Sequence, residues 1–181
     1  DMCCRVALHR GAAKVIGVDL VPERLRRART RGVEVFDLTS YNGDLVGAIH
    51  EVTGGRGPDS VIDAVGMEAH GSRVGKLAQQ MTGLLPDPLA SRLMQTAGVD
   101  PLSAIHMAID LVRRGGTISL SGVYGGMVDP LPLMTLFDKQ IQLRMGQANV
   151  RRWVDDILPL LTDDDPLGVD TFKTHTMPLE D

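Results

Sequence analysis

Apolar runs alternate with amphipathic segments along the first third of the chain. The runs "KVIGVD" (14–19) and "DSVIDAVG" (59–66) are too continuous for a sheet with one solvated face, so they predict buried strands. Between them, Pro22 begins an arginine-rich helix that ends at Gly32, and residues 44–55 carry apolar side chains on one side of a second helix. Because no hairpin signal separates these elements, the pattern predicts an α/β fold with a doubly wound parallel sheet.

This alternation of strands and helices is interrupted after residue 66 and resumes later in the chain. Residues 71–100 contain helical pieces interrupted at Pro86 and Pro88, which indicates an insertion. The next helix places four apolar residues on one face by i, i+3, i+4, i+7 spacing: Ile105, Ala108, Ile109 and Val112. The other predicted elements are a helix at 2–10 that stops at Gly11, strands at 33–37, 117–123 and 139–147, and an amphipathic helix at 151–161.

Composition narrows the class of protein. The 181 residues are 43% hydrophobic and 23% charged, which is typical of a globular domain. A net charge of −4 and only 3% aromatic residues argue against nucleic-acid and anionic-membrane partners. Because no apolar run reaches the roughly 20 residues of a membrane helix, we expect a soluble cytoplasmic protein. The adjacent Cys3 and Cys4 are too close for a framework disulfide or a spaced zinc motif.

Asp19 is the first residue with a specific chemical role available. A carboxylate at the carboxyl end of a parallel strand accepts hydrogen bonds from the hydroxyls of an adenosine ribose and repels a 2′-phosphate, which favours NAD over NADP. The alternative is a helix cap or turn residue. Arg24, one turn into the next helix, could reach the adenosine. Its alternative is a solvated basic face shared with Arg26, Arg27, Arg29 and Arg31.

Four segments, taken in order, resemble the coenzyme domain of the zinc-dependent, medium-chain alcohol dehydrogenases. They are "KVIGVDLVPERL", "DSVIDAVGMEAHG", "LVRRGGTISLSGVYGG" and "DKQIQLRMGQANV". Within them, "DAVGMEAHG" and "MGQANV" resemble the glutathione-independent formaldehyde dehydrogenase branch. The resemblance implies a Rossmann-type NAD-binding domain over residues 1–162, with residues 163–181 beginning the return to a catalytic domain.

The resemblance also implies that important parts lie outside this sequence. Dinucleotide-binding domains carry a glycine-rich loop about 20 residues before the ribose-binding acid, whereas this chain opens with "DMCCRVALHRG". We therefore expect the first strand, the glycine loop and the zinc ligands to lie upstream of Asp1. Residues 1–181 alone are expected to be inactive, and no residue among them is assigned a catalytic role.

By match to the family, the chain contributes one wall of a coenzyme site. His70 has an alternative as an ordinary loop histidine, whereas His9, His50, His106 and His175 lack ligand spacing and are expected to be surface or packing residues. The cofactor-binding residues implied by the resemblance are Asp19, Arg24, Ala64, Val65, Gly66, His70, Gly122, Val123, Tyr124, Gly146, Gln147 and Ala148.

The expected activity is hydride transfer between an alcohol, or a hydrated aldehyde, and NAD, in a protein that also binds zinc. The edge strand at 139–147 is expected to pair with a second copy, which makes a homo-oligomer. Two alternatives stay open: a truncated, non-catalytic domain that binds nucleotide weakly or only binds partners, and a zinc-free medium-chain reductase that uses NADPH. Asp19 counts against the second alternative.

Overall fold

The computed structural model describes residues 1–41, 44–65, 101–122 and 131–178. Helices and strands alternate along these ranges, as the hydrophobic pattern predicts. The helices are α1 (Met2–His9), α2 (Pro22–Arg29), α3 (Leu45–Val52), α4 (Pro101–Leu111), α5 (Leu133–Asp138) and α6 (Val150–Ile157), with 3₁₀ turns at Leu158–Leu160 and Val169–Thr171. The strands are β1 (Ile16–Asp19), β2 (Glu34–Asp37), β3 (Ser60–Asp63), β4 (Thr117–Leu120) and β5 (Gln142–Met145).

All strand pairs in the described residues are parallel. One sheet pairs β1 with β2, and the other has the order β3-β4-β5. A parallel pair needs a crossover connection, and a helix follows each of β1, β2 and β4 along the chain. The predicted α/β class with a doubly wound, parallel Rossmann-type arrangement is confirmed.

The chain divides into two compact units, residues 1–45 with 149–181 and residues 46–148. The core of the second unit forms where α4 packs on β4. The face that periodicity predicts for α4 is confirmed, because Ile105, Ala108, Ile109 and Val112 are all buried. Ile118 of β4 is also buried, and Val61 and Leu143 from the flanking strands pack against the same cluster.

Arginine side chains join distant parts of the chain in the first unit. Arg5 of α1 is only 5% exposed, and its guanidinium donates to the carbonyl oxygens of Leu167 and Gly168. Arg27 of α2 donates to the carbonyl oxygens of Thr171 and Phe172 at 3.0 and 2.8 Å. We call this set the arginine clamp; its members are Arg5, Arg27, Arg31 and residues 167–172.

Two strands differ from expectation in burial. The run 14–19 predicts a strand buried on both faces, but every residue of β1 is only half-buried. In β3, Ile62 is 48% exposed whereas Asp63 is 5% exposed. Both strands have one neighbour within the described residues, so each lies at a sheet edge there.

The C-terminal elements are shorter than predicted. Strand β5 covers Gln142–Met145 rather than 139–147, because Gln140 has a φ of 56° and forms a turn. Helix α6 ends at Ile157, and Pro159 lies in the 3₁₀ turn that follows. The proposed insertion at 71–100 lies outside the described residues.

Candidate functional site

Asp19 ends β1 and holds the turn into α2. Its Oδ1 accepts hydrogen bonds from the backbone N–H groups of Leu20 and Val21 at 2.7 and 2.9 Å. The turn arises because Pro22 begins α2 three residues later and Val21 has an extended backbone. The carboxylate is 32% exposed, so it serves the turn through one oxygen and is still open to solvent at the strand end.

Arg24 lies beside Asp19. Its Nη1 is 3.6 Å from Asp19 Oδ2, and its side chain is 70% exposed. Two arginines of this basic stretch have partners in addition to solvent, because Arg27 of α2 and Arg31, which follows the helix, donate to Thr171 within the arginine clamp. Arg24 is therefore the arginine of α2 that pairs with the acid ending β1.

A second set of predicted site residues gathers at the carboxyl edge of the β3-β4-β5 sheet. The Asp63 carboxylate accepts from the N–H of Val65 at 2.9 Å, and the Asp63 carbonyl accepts from the N–H groups of Ser121 and Gly122 at 2.8 and 3.0 Å. Any Cβ on Gly122 would overlap the carbonyl oxygen of Val65. The structure therefore brings Ala64, Val65 and Gly122 together and requires glycine at 122.

Strand β5 leaves the sheet at the same edge. Met145 is in register with Leu120, so residues 146–148 follow the strand end next to β4, and all three are exposed. Gly146, Gln147 and Ala148 therefore lie at the edge expected of them. The remaining predicted residues, Gly66, His70, Val123 and Tyr124, lie outside the described ranges.

Asp37 belongs to the Asp19 edge and is absent from the sequence-based list. It ends β2 in register with Asp19, and the N–H of Leu38 donates to the Asp19 carbonyl at 3.1 Å. The hydroxyl and N–H of Thr39 donate to Asp37 Oδ1 at 2.6 and 2.9 Å, and these bonds hold the pKa of Asp37 below its usual value. The signal was available, because "VEVFD" is a predicted strand that ends in an acid.

A groove lies at the opposite, amino edge of the β3-β4-β5 sheet. It has a volume of about 480 Å³ and is lined by His50, Gly55, Arg56, Val112, Arg113, Arg114 and Lys139. Its cations already have partners. Arg113 pairs with Asp59 at 2.6 Å, Arg114 pairs with Asp138 at 2.7 Å, and Lys139 donates to carbonyl oxygens of α4. The groove is therefore a poorer candidate than the carboxyl edges of the strands.

Nothing in the described ranges fits a metal. No cluster of three or more His, Cys, Asp or Glu side chains is close enough there to hold an ion. His50 fulfils a packing role, because its Nε2 lies 3.0 Å from the carbonyl oxygen of Leu111. Within residues 1–41, 44–65, 101–122 and 131–178, no helix is long and apolar enough to cross a membrane.

Comparison with known proteins shows which families and proteins this chain resembles. Residues 1–81 match the family model described as "Zinc-binding dehydrogenase". A zinc-type alcohol dehydrogenase-like protein of Bacillus subtilis is 35% identical over 175 residues, which cover 95% of this chain and 41% of that protein. A formaldehyde dismutase of Pseudomonas putida is 35% identical over 123 residues, covering 68% of this chain and 25% of that enzyme. The chain thus spans well under half the length of either relative.

A solved structure gives the same result for the fold. An alcohol dehydrogenase from Thermus sp. ATN1 superposes with a TM-score of 0.66 at 27% identity, covering 91% of this chain and 38% of that one. The parallel sheets of this chain match the Rossmann-like coenzyme-binding domain of alcohol dehydrogenases. Together with the match over residues 1–81, these likenesses support the zinc-type, medium-chain alcohol dehydrogenase family for this chain.

Proposed function

We propose that this chain is the coenzyme-binding part of an NAD-dependent, zinc-dependent dehydrogenase that moves hydride between an alcohol, or a hydrated aldehyde, and NAD. One observation carries the proposal: an acid that is oriented by the backbone stands at the carboxyl end of β1. In doubly wound sheets, dinucleotides bind at the carboxyl ends of the strands, and an acid at this position accepts from the ribose hydroxyls.

The residues of the two sheet edges have distinct roles in this proposal. Asp19 accepts from the ribose hydroxyls, and Arg24 lies next to the adenosine. The backbone at Val65 and Gly122, with residues 146–148, flanks the nicotinamide half. Because position 122 has no side chain, the two strand-end turns approach each other closely and present backbone groups rather than side chains. Bound NAD supplies the hydride acceptor.

Zinc enters the proposal only through the family. The described residues contain no cluster suited to the metal, and the family resemblance is the reason for placing its ligands in other parts of the protein. The substrate class is proposed from the likeness of "DAVGMEAHG" and "MGQANV" to the formaldehyde dehydrogenase branch and from the similarity to a formaldehyde dismutase. A cytoplasmic location and the division between residues 1–162 and 163–181 stay predictions.

The test is coenzyme binding by the full-length protein. We expect NAD to bind more tightly than NADP, and we expect Asp19→Ala to weaken NAD binding by about 2 to 4 kcal/mol, because two hydrogen bonds to a charged acceptor are lost. Glu51→Ala, at an exposed position on α3, is the matched control and should leave both dissociation constants unchanged.

The outcome also separates the alternatives. Preference for NADP in the wild type would favour a zinc-free reductase, and no binding of either coenzyme would favour a non-catalytic domain. Equal NAD dissociation constants for the wild type and Asp19→Ala would show that Asp19 does not bind the coenzyme.

We also propose a homo-oligomer. Strand β5 pairs only with β4 within the described residues, so its other edge can add a strand from a second copy.

A further inference from the structure

The proposed coenzyme edge carries two carboxylates rather than one. Asp19 and Asp37 are register partners at the carboxyl ends of β1 and β2. Register partners on neighbouring strands project from the same face of a sheet, and the strands lie about 4.8 Å apart. The bond from the N–H of Leu38 to the Asp19 carbonyl fastens the two strand ends together.

The charge balance at this edge depends on the second acid. Arg24 lies 3.6 Å from Asp19, so this pair by itself has no net charge. An exposed guanidinium is a good hydrogen-bond donor to a phosphate, so Arg24 reduces the selectivity that Asp19 gives. Asp37 has no cation partner among the described residues, and the Thr39 hydroxyl and N–H favour its ionised form. Asp19, Arg24 and Asp37 together therefore carry one net negative charge.

We propose that Asp37 is a specificity-determining residue that, together with Asp19, excludes the 2′-phosphate of NADP. This inference rests on the proposed function. Asp19 binds the ribose hydroxyls, and its repulsion of a 2′-phosphate is reduced by Arg24, whereas Asp37 acts through repulsion of the phosphate alone. Because NAD carries no charge at the 2′ position, Asp37 has little effect on the binding of NAD itself.

The test compares NAD and NADP by calorimetry in the full-length protein. Asp37→Asn keeps the shape of the side chain and an acceptor for Thr39 but removes the charge. We expect the ratio of the NADP to the NAD dissociation constant to fall about three- to tenfold, as for a unit charge several ångströms from a phosphate in water. The change should come from tighter NADP binding and should shrink as potassium chloride is raised.

Glu34→Gln is the matched control. Glu34 begins the same strand, about 10 Å from Asp37, and pairs with Lys14. It should leave the ratio within about twofold of wild type. If Asp37→Asn does not fold, Asp37→Ser removes the same charge and gives the same test.

The outcomes distinguish this inference from the proposed function. A wild type that prefers NAD, with an unchanged ratio in the neutral variants, overturns only the role of Asp37. A wild type without preference for NAD overturns both. A lower ratio in Asp37→Asn but not in Glu34→Gln supports the inference.

Discussion

The two units of this chain differ in what holds their buried residues in place. In the unit of residues 46–148, α4 packs an apolar face on β4, and Ile109 and Ile118 are buried among hydrocarbon. The other unit buries Leu25, Ala28 and Val33, but it also buries the charged Arg5, whose arginine clamp binds carbonyl oxygens of residues 167–172. Burial of hydrocarbon is non-directional and tolerates adjustment, whereas a buried charge depends on every partner being in place. The unit that contains the buried Arg5 should therefore be the more sensitive of the two.

The largest effect is expected at Arg5. Arg5→Met removes both bonds to the Asp1 carboxylate and leaves the carbonyl oxygens of Leu167 and Gly168 without this donor. We expect the full-length protein to lose about 3 to 5 kcal/mol of unfolding free energy, measured by urea denaturation. The control Arg10→Met, at an exposed position that caps α1, should change stability by less than about 0.5 kcal/mol. Equal losses of unfolding free energy in the two variants would show that the arginine clamp does not stabilise this unit.

The apolar core of residues 46–148 is tested at Ile109, which is 1% exposed. Ile109→Ala removes buried methyl groups and leaves a cavity between α4 and β4, so we expect a loss of about 3 kcal/mol in the same assay. Ile109→Val should lose only about 1 kcal/mol, because most of the volume is kept. A larger loss at Ile109→Ala than at Arg5→Met would reverse the order inferred from the two cores.

The free edge of β5 offers a test of whether two copies of the chain associate. The sequence suggests Gln142→Pro as the disrupting change, but the N–H of Gln142 donates inward to the Gly116 carbonyl at 2.9 Å. Strand alternation turns the N–H of Met145 outward, and this side chain is 65% exposed. Met145→Pro should therefore remove a donor from the outer edge and keep the inner ladder.

Light scattering on the full-length protein measures the result. We expect the wild type to be oligomeric and Met145→Pro to have a lower molar mass with an unchanged circular dichroism spectrum. Met145→Ala, which keeps the N–H, should stay oligomeric. A monomeric wild type, or an oligomeric Met145→Pro, would place the interface elsewhere.

The smallest effect is expected at an exposed ion pair, which sharpens the contrast with the buried Arg5. Arg113 holds the pKa of Asp59 below its ordinary value of 3.8. Because the folded pKa is depressed, the stabilisation is complete above about pH 4 and is lost as the pH falls through the folded pKa. Asp59→Asn should flatten the fall of the urea midpoint below pH 4, whereas Asp164→Asn, in an exposed loop, should not. If the urea midpoint falls equally below pH 4 in the wild type and in Asp59→Asn, this ion pair contributes nothing to stability.

Local patterns alone predicted most elements and one core. The face of α4 follows from helical periodicity, because apolar side chains at that spacing meet one surface. The strand-end position of Asp19 follows from the run before it and Pro22 after it. The acid at Asp37 was equally visible in the sequence, but its significance depends on the β1–β2 register, which a single strand does not encode.

What the sequence by itself determined was therefore the alternation of strands and helices, the apolar face of α4 and the acid at the end of β1, since all three depend on neighbours within a few residues. The tertiary structure decided the rest. Arg5 is buried because carbonyl oxygens more than 160 residues away accept from it. Gly122 must be glycine because the Val65 carbonyl lies against it. Charge and close approach depend on three-dimensional distance, and only the packed chain sets that distance.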